Sequence, residues 1–130
     1  MKEIIFYKTE KGSSPVEEFL ETISDKQAQK IAWVLRIIRD LDFTPKEYFK
    51  KLKNTNIWEV RIQLGSNIFR ILGFIEGNNI IVLTNGLQKK TQKTPKKEIE
   101  LAEKRMREYL NRRKRNGCLR KIYRKTKNEK

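Results

Sequence analysis

Three apolar runs, separated only by turn residues, limit the fold of this chain more than any other feature. They are residues 57–64 (IWEVRIQL), 68–75 (IFRILGFI) and 80–85 (IIVLTN). Gly65-Ser66-Asn67 and Gly77-Asn78-Asn79 separate them, and these residue types tolerate the backbone of tight turns. Runs this close together pair antiparallel, because a parallel pair needs a crossover of a dozen residues or more. In the first run Trp58, Val60, Ile62 and Leu64 alternate with Glu59, Arg61 and Gln63, so the two sets face opposite ways. The third run is apolar on both faces, as in a central strand.

The rest of the chain supplies partners for this meander. Residues 2–8 (KEIIFYK) have strand composition, and residues 10–13 form a turn. Ser14, Pro15 and Glu17 then mark a helix start of the capping-box kind, with Val16, Phe19, Leu20 and Ile23 as its apolar stripe. Ser24 and Gln27 mark a second start, followed by Ile31, Val34, Leu35, Ile38 and Leu41 on one helical face. The two helices form a hairpin closed by Thr44 and Pro45, and residues 45–56 read mostly as loop. Residues 86–94 read as a polar loop. Thr94 and Pro95 open a last helix with Ile99, Ala102, Met106, Tyr109 and Leu110 on one face, and Gly117 breaks its pattern. Strand, helical hairpin, three-stranded antiparallel meander, C-terminal helix is an α+β order, expected to place the helices on one side of the sheet. One domain over 1–111 is expected, followed by a basic extension, 112–130, expected to be mobile, although a helix continuing through Ile122 and Tyr123 is an alternative.

Charge points to the partner. The chain has 130 residues, 31 Lys and Arg against 16 Asp and Glu, and a net charge of +15. A domain of this size needs much less for solubility, so nucleic acid is the first partner to consider and an anionic membrane surface the second. Residues 112–130 hold ten of the basic residues and one acidic one, a segment that reads either as a bare extension or as a nucleic-acid tether. The single cysteine, Cys118, can form no internal disulfide, and no zinc-type spacing exists, so neither metal nor cofactor is expected. The start MKEIIFY lacks a signal-peptide pattern and no long apolar run is present, so a cytoplasmic location without membrane attachment is expected. The chain has no histidine, which removes the commonest general base.

Chemistry must then come from cations, Tyr or carboxylates. Arg61 and Arg70 stand in adjacent strands, outside the apolar pattern of each. They read either as rim arginines, Arg61 paired with Glu59, or as a phosphate clamp, since guanidinium forks match phosphate oxygens. Lys89, Lys90 and Lys93 cluster in the loop after the third strand, over the sheet end that carries the arginines. Lys51 and Lys53 precede the meander and are candidates for the border of the same surface. Such a cluster suits RNA, whose 2′-OH is its own nucleophile: arginines stabilise the phosphorane, and a lysine crowded by cations assists proton transfer. Glu59 is either a base or structural.

The segments IWEVRIQ, NIFRILGF, IIVLTNGLQKKTQKTP and EIELAEKRMREYL, with the helix start SPVEEFLE, resemble the phage Gp49-like branch of the HigB toxins, within the RelE/ParE superfamily. The likeness covers roughly residues 2 to 112, and its most specific part is NG-x-x-KK-T-x-K-TP. It implies a RelE-like fold and a toxin of a type II toxin–antitoxin system, an endoribonuclease that cuts mRNA in the ribosomal A site. It also implies neutralisation by a HigA-like helix-turn-helix antitoxin, with operator DNA contacted only through that antitoxin. The family's basic site residues fall on Arg61, Arg70, Lys89 and Lys90, with Lys93 close by. Many such enzymes use a late tyrosine or histidine, whereas Tyr109 here lies on the apolar helix stripe and reads as core. Trp33 and Ile37, beside the main stripe of the second helix, are candidates for antitoxin docking. Two other functions remain open on sequence: a ParE-like inhibitor of DNA gyrase that cuts no RNA, since fold does not separate the two, and a non-catalytic nucleic-acid-binding module.

Overall fold

The computed structural model describes residues 2–91 and 93–128, with side chains described through residue 115. The elements are β1 (Glu3–Phe6), α1 (Pro15–Glu21), α2 (Asp25–Asp40), β2 (Phe49–Lys51), β3 (Trp58–Leu64), β4 (Asn67–Glu76), β5 (Ile80–Lys89) and α3 (Lys96–Asn128). They form a five-stranded sheet of order β1-β5-β4-β3-β2. The meander β3-β4-β5 is antiparallel at its centre; β1 joins β5 in parallel, and β2 joins β3 antiparallel. The α1–α2 hairpin therefore carries the chain from one sheet edge to the other.

Local signals explain the helices. Ser14 caps α1 by accepting from the Glu17 amide, with Pro15 in the first turn. Ser24 caps α2 in a full capping box with Gln27. Ile31, Val34 and Ile38 are buried against Val60, Ile62, Phe69, Ile71, Ile81 and Leu83, one face of the sheet. Leu41 lies past the helix end and is exposed.

The expectation of helices on one side only is corrected. The other face carries Leu72, Phe74 and Val82, which pack with Ala102, Ile99, Met106 and Tyr109 of α3. The physical reason is visible in β4 and β5: Ile71 with Leu72, and Val82 with Leu83, put apolar side chains on both faces, and each face needs cover. Tyr109 is half-buried edge-on against Phe74, with ring centroids 5.5 Å apart, so it is core as the helix stripe implied.

Three boundaries also differ. Within 45–56, residues 49–51 form an edge strand, with Phe49 opposite Val60 and stacked on Trp58 at 4.8 Å. Its two lysines, typical of edge protection, hid it. Strand β5 runs on through Asn85 and Gly86 to Lys89, so four residues assigned to a loop are paired with β4. Gly86 serves close approach there: a Cβ would lie 2.5 Å from the Phe19 ring. Finally, α3 passes through Gly117, a tolerated cost of about 1 kcal/mol against alanine. Among the described residues no helix is long and apolar enough to cross a membrane.

Gly86→Ala is expected to destabilise the fold by about 1–3 kcal/mol, the usual cost of an added methyl group in a packed site. Phe19→Leu in the same chain should recover part of that loss. Urea unfolding measures both; an unchanged midpoint for Gly86→Ala would show that Phe19 does not press on β5.

Candidate active site

Strand register builds the site. Glu59 and Arg61 share the face opposite Val60 and Ile62, because side chains alternate along β3. Across the β3–β4 ladder Arg61 stands opposite Arg70, and Glu59 opposite Leu72. Two like charges directly opposed destabilise a sheet. Glu59 offsets this, with Oε1 3.6 Å from Arg61 Nε and Oε2 3.8 Å from Arg70 Nε.

The segment before α3 completes the cluster. The Thr94 hydroxyl donates to Glu59 Oε2 at 2.6 Å, and Lys89 Nζ donates to the Thr94 hydroxyl at 3.1 Å. Arg70 Nη1 also donates to the Phe69 carbonyl at 2.9 Å. The helix begins without Thr94: the amides of Glu98 and Ile99 bond to the Pro95 carbonyl. Thr94 thus serves the cluster rather than the helix end that its position suggested.

Burial divides the roles. Glu59, Arg70, Thr94 and Lys89 are all buried, with Arg70 only 3% exposed, while the Arg61 side chain keeps 28% exposure. Arg61 is therefore the rim arginine paired with Glu59, and Arg70 is no rim residue. Burial lowers the pKa of Arg70; Glu59 opposes that shift and Arg61 adds to it. For Lys89 burial again lowers the pKa most, the Arg70 charge comes next, Glu59 opposes and Arg61 adds. A lysine held below its ordinary pKa by burial and by neighbouring cations is suited to passing protons.

Both arginines line a cavity of about 370 Å³ that also touches Lys30 and Val34 of α2, Glu47, Tyr48 and Gln63. Tyr48 is tied to the site through its carbonyl, which accepts from the Arg61 amide at 2.8 Å. Trp33 meets Tyr48 edge-on at 5.9 Å, and Lys30 Nζ lies 4.3 Å from the Trp33 ring centroid.

Of the residues singled out by sequence, Arg61, Arg70 and Lys89 come together. Lys90 is exposed and borders a separate depression of about 560 Å³ with Lys89, Ser66 and Gln88. Lys93 is exposed beside Thr94. Lys51 pairs with Trp58 at the start of β3 and lines an apolar cleft with Phe43 and Trp58 rather than the Arg61 cavity. Lys53 is exposed in the turn that follows β2. Trp33 is 42% exposed and Ile37 half-buried. Sequence reasoning missed Thr94, Lys30, Glu47 and Tyr48. No spacing signals them, because they reach the site through long-range packing. Among the described residues no group of His, Cys, Asp or Glu could hold a metal ion.

The family model for phage-derived Gp49-like proteins matches residues 18–107, more than half of the chain. The chain belongs to this family. No curated protein matches it. The Gp49-like family is of the RelE, toxin-like kind. The whole Glu59–Arg61–Arg70–Lys89–Thr94 cluster lies inside the matched segment of this Gp49-like protein.

Glu59→Gln should destabilise the Gp49-like fold by about 3–5 kcal/mol, the usual cost of removing one partner from a buried pair. Adding Arg70→Met should restore much of the loss, because no buried guanidinium is then left uncompensated. If the single variant unfolds at the wild-type urea concentration, Glu59 is not what holds the cations.

Proposed function

We propose that this Gp49-like protein is a HigB-type toxin of a type II toxin–antitoxin system, a ribosome-dependent endoribonuclease that cuts mRNA. The observation that carries the proposal is the convergence of Arg61, Arg70 and Lys89 about one buried carboxylate, in a chain of net charge +15. RNA needs little more from a protein. Its 2′-OH attacks the adjacent phosphate; the phosphorane gains negative charge, and the 5′-oxygen leaves. Arg61, the more exposed guanidinium, stabilises the phosphorane directly, and Arg70 raises the positive field behind it. Lys89, with its basicity lowered, transfers the proton.

Lys90, exposed one residue beyond Lys89, engages the RNA backbone outside the cluster together with Lys93, Lys51 and Lys53, which makes binding salt-dependent. Toxin-like membership favours an antitoxin partner. The proposal makes it a HigA-like helix-turn-helix protein that docks on Trp33 and Ile37 of α2, contacts operator DNA on its own account, and denies the toxin its place on the ribosome. A ribosomal target goes with a cytoplasmic location, which is part of the proposal.

Primer extension on mRNA paused on purified ribosomes tests this reading. Wild type should cut within the A-site codon, and Arg61→Ala should cut at least about a hundredfold more slowly, the scale for loss of one transition-state donor. A toxic preparation that cuts neither ribosome-bound nor free mRNA would sink the nuclease and favour gyrase inhibition. A second expectation concerns pH. If neutral Lys89 accepts the proton, cutting rises as pH climbs toward its lowered pKa and then levels; Lys89→Arg, which stays charged, should flatten that rise. An unchanged profile in Lys89→Arg would remove Lys89 from proton transfer.

A further inference from the structure

The cationic cluster is largely buried, and Arg61, its partly exposed member, lines a cavity at the β3 edge beside α2. That cavity has more than charge. Tyr48 presents an aromatic wall, fixed by edge-on contact with Trp33. Lys30 and Arg61 supply cations, Gln63 an amide and Glu47 a carboxylate. Its volume of about 370 Å³ falls within the range of about 300–1,000 Å³ common for small-ligand pockets. An aromatic wall, two accessible cations and a hydrogen-bonding rim are the parts that hold one unstacked nucleotide of single-stranded RNA.

We infer that this groove is a nucleotide-recognition subsite, which seats the base next to the reacting phosphate and prefers bases that carry an amino group. The inference rests on the nuclease reading and names the part of the substrate that reading leaves open. The base packs against Tyr48, and its phosphate lies between Lys30 and Arg61. Glu47 accepts hydrogen bonds only, so it favours adenine, cytosine or guanine, whose amino groups donate from the base edge, over uracil, whose N3–H sits between two carbonyl oxygens that repel a carboxylate. Gln63 both donates and accepts, and reads the remaining edge. Trp33 acts as a positioning residue: it holds Tyr48 upright through the ring contact and binds no RNA itself. Docking of an antitoxin on Trp33 would bear on this wall directly.

The test uses the full chain and labelled hexamers of adenosine, cytidine or uridine in 2′-O-methyl form. These cannot be cut, so binding is scored whether or not the protein is a nuclease. Wild type should bind the adenosine and cytidine hexamers more tightly than the uridine one, and Glu47→Gln should narrow that gap. Tyr48→Leu and Lys30→Ala should each weaken binding about tenfold, within the range for loss of one base-stacking contact. Lys46→Ala, an exposed lysine outside the groove, controls for bulk charge and should change binding twofold at most. Should Tyr48→Leu fail to fold, Gln63→Ala at its exposed position carries the test by shifting the base preference.

Wild type that binds none of the hexamers overturns the subsite. So do Tyr48→Leu and Lys30→Ala variants that bind like Lys46→Ala, and so does a base preference untouched by Glu47→Gln and Gln63→Ala. Cutting on ribosomes together with any of these leaves the nuclease standing and removes only the subsite. Tyr48-dependent binding without cutting does the reverse.

Discussion

A carboxylate buried between two arginines is the constraint around which the rest of this protein is arranged. Glu59 is 5% exposed, and an ionised group at that depth must be paired and hydrogen-bonded or it costs several kcal/mol. Here it is both. Arg61 and Arg70 approach it from neighbouring strands, and Thr94 donates a short hydrogen bond from the segment before α3. Each contact specifies structure: the arginines tie the β3–β4 register, and Thr94 the path of the chain after β5. A one-residue slip between β3 and β4 would turn the whole set of side chains to the wrong face.

The two-sided sheet supplies the dry setting. With α2 on one face and α3 on the other, β4 and β5 run through the core, and Arg70 is carried inside with them. Cations in such a place act more strongly on a phosphate than they would in water. Burial, and after it the charges of Arg70 and Arg61, lowers the pKa of Lys89 below its ordinary value, against the pull of Glu59. In the proposed function the large positive charge elsewhere on the chain has a different role: it draws in RNA over distance, while the cluster acts at contact.

The parts of this fold that depend on local pattern were legible in the sequence. Alternation in Trp58–Leu64, the caps at Ser14 and Ser24, and the apolar stripe of α2 all became the elements they suggested. Features set by distant contacts were not. Phe49 becomes a strand residue only because β3 lies beside it, and Gly86 stays in a strand because Phe19 packs above it. At the site, Arg61 and Arg70 were visible as charged residues outside the apolar patterns of their strands, and Lys89 as one of a cluster of loop lysines. Thr94 looked like a helix opener, and its bond to a residue 35 positions away has no local signature. Lys30 and Tyr48 are ordinary surface types in sequence, and only the packing of α2 beside β3 gives them a shared cavity.

The chemistry proposed for the cluster makes the attacking group part of the RNA. The most direct measurement is the chemical identity of the ends left by the cut, read by mass spectrometry of a short mRNA cleaved on ribosomes. Attack by the 2′-OH predicts a 2′,3′-cyclic phosphate, or the phosphate from its opening, on the upstream fragment and a 5′-hydroxyl on the downstream one. A 3′-hydroxyl with a 5′-phosphate would mean that water was the nucleophile, and would contradict the role given to Arg61, Arg70 and Lys89.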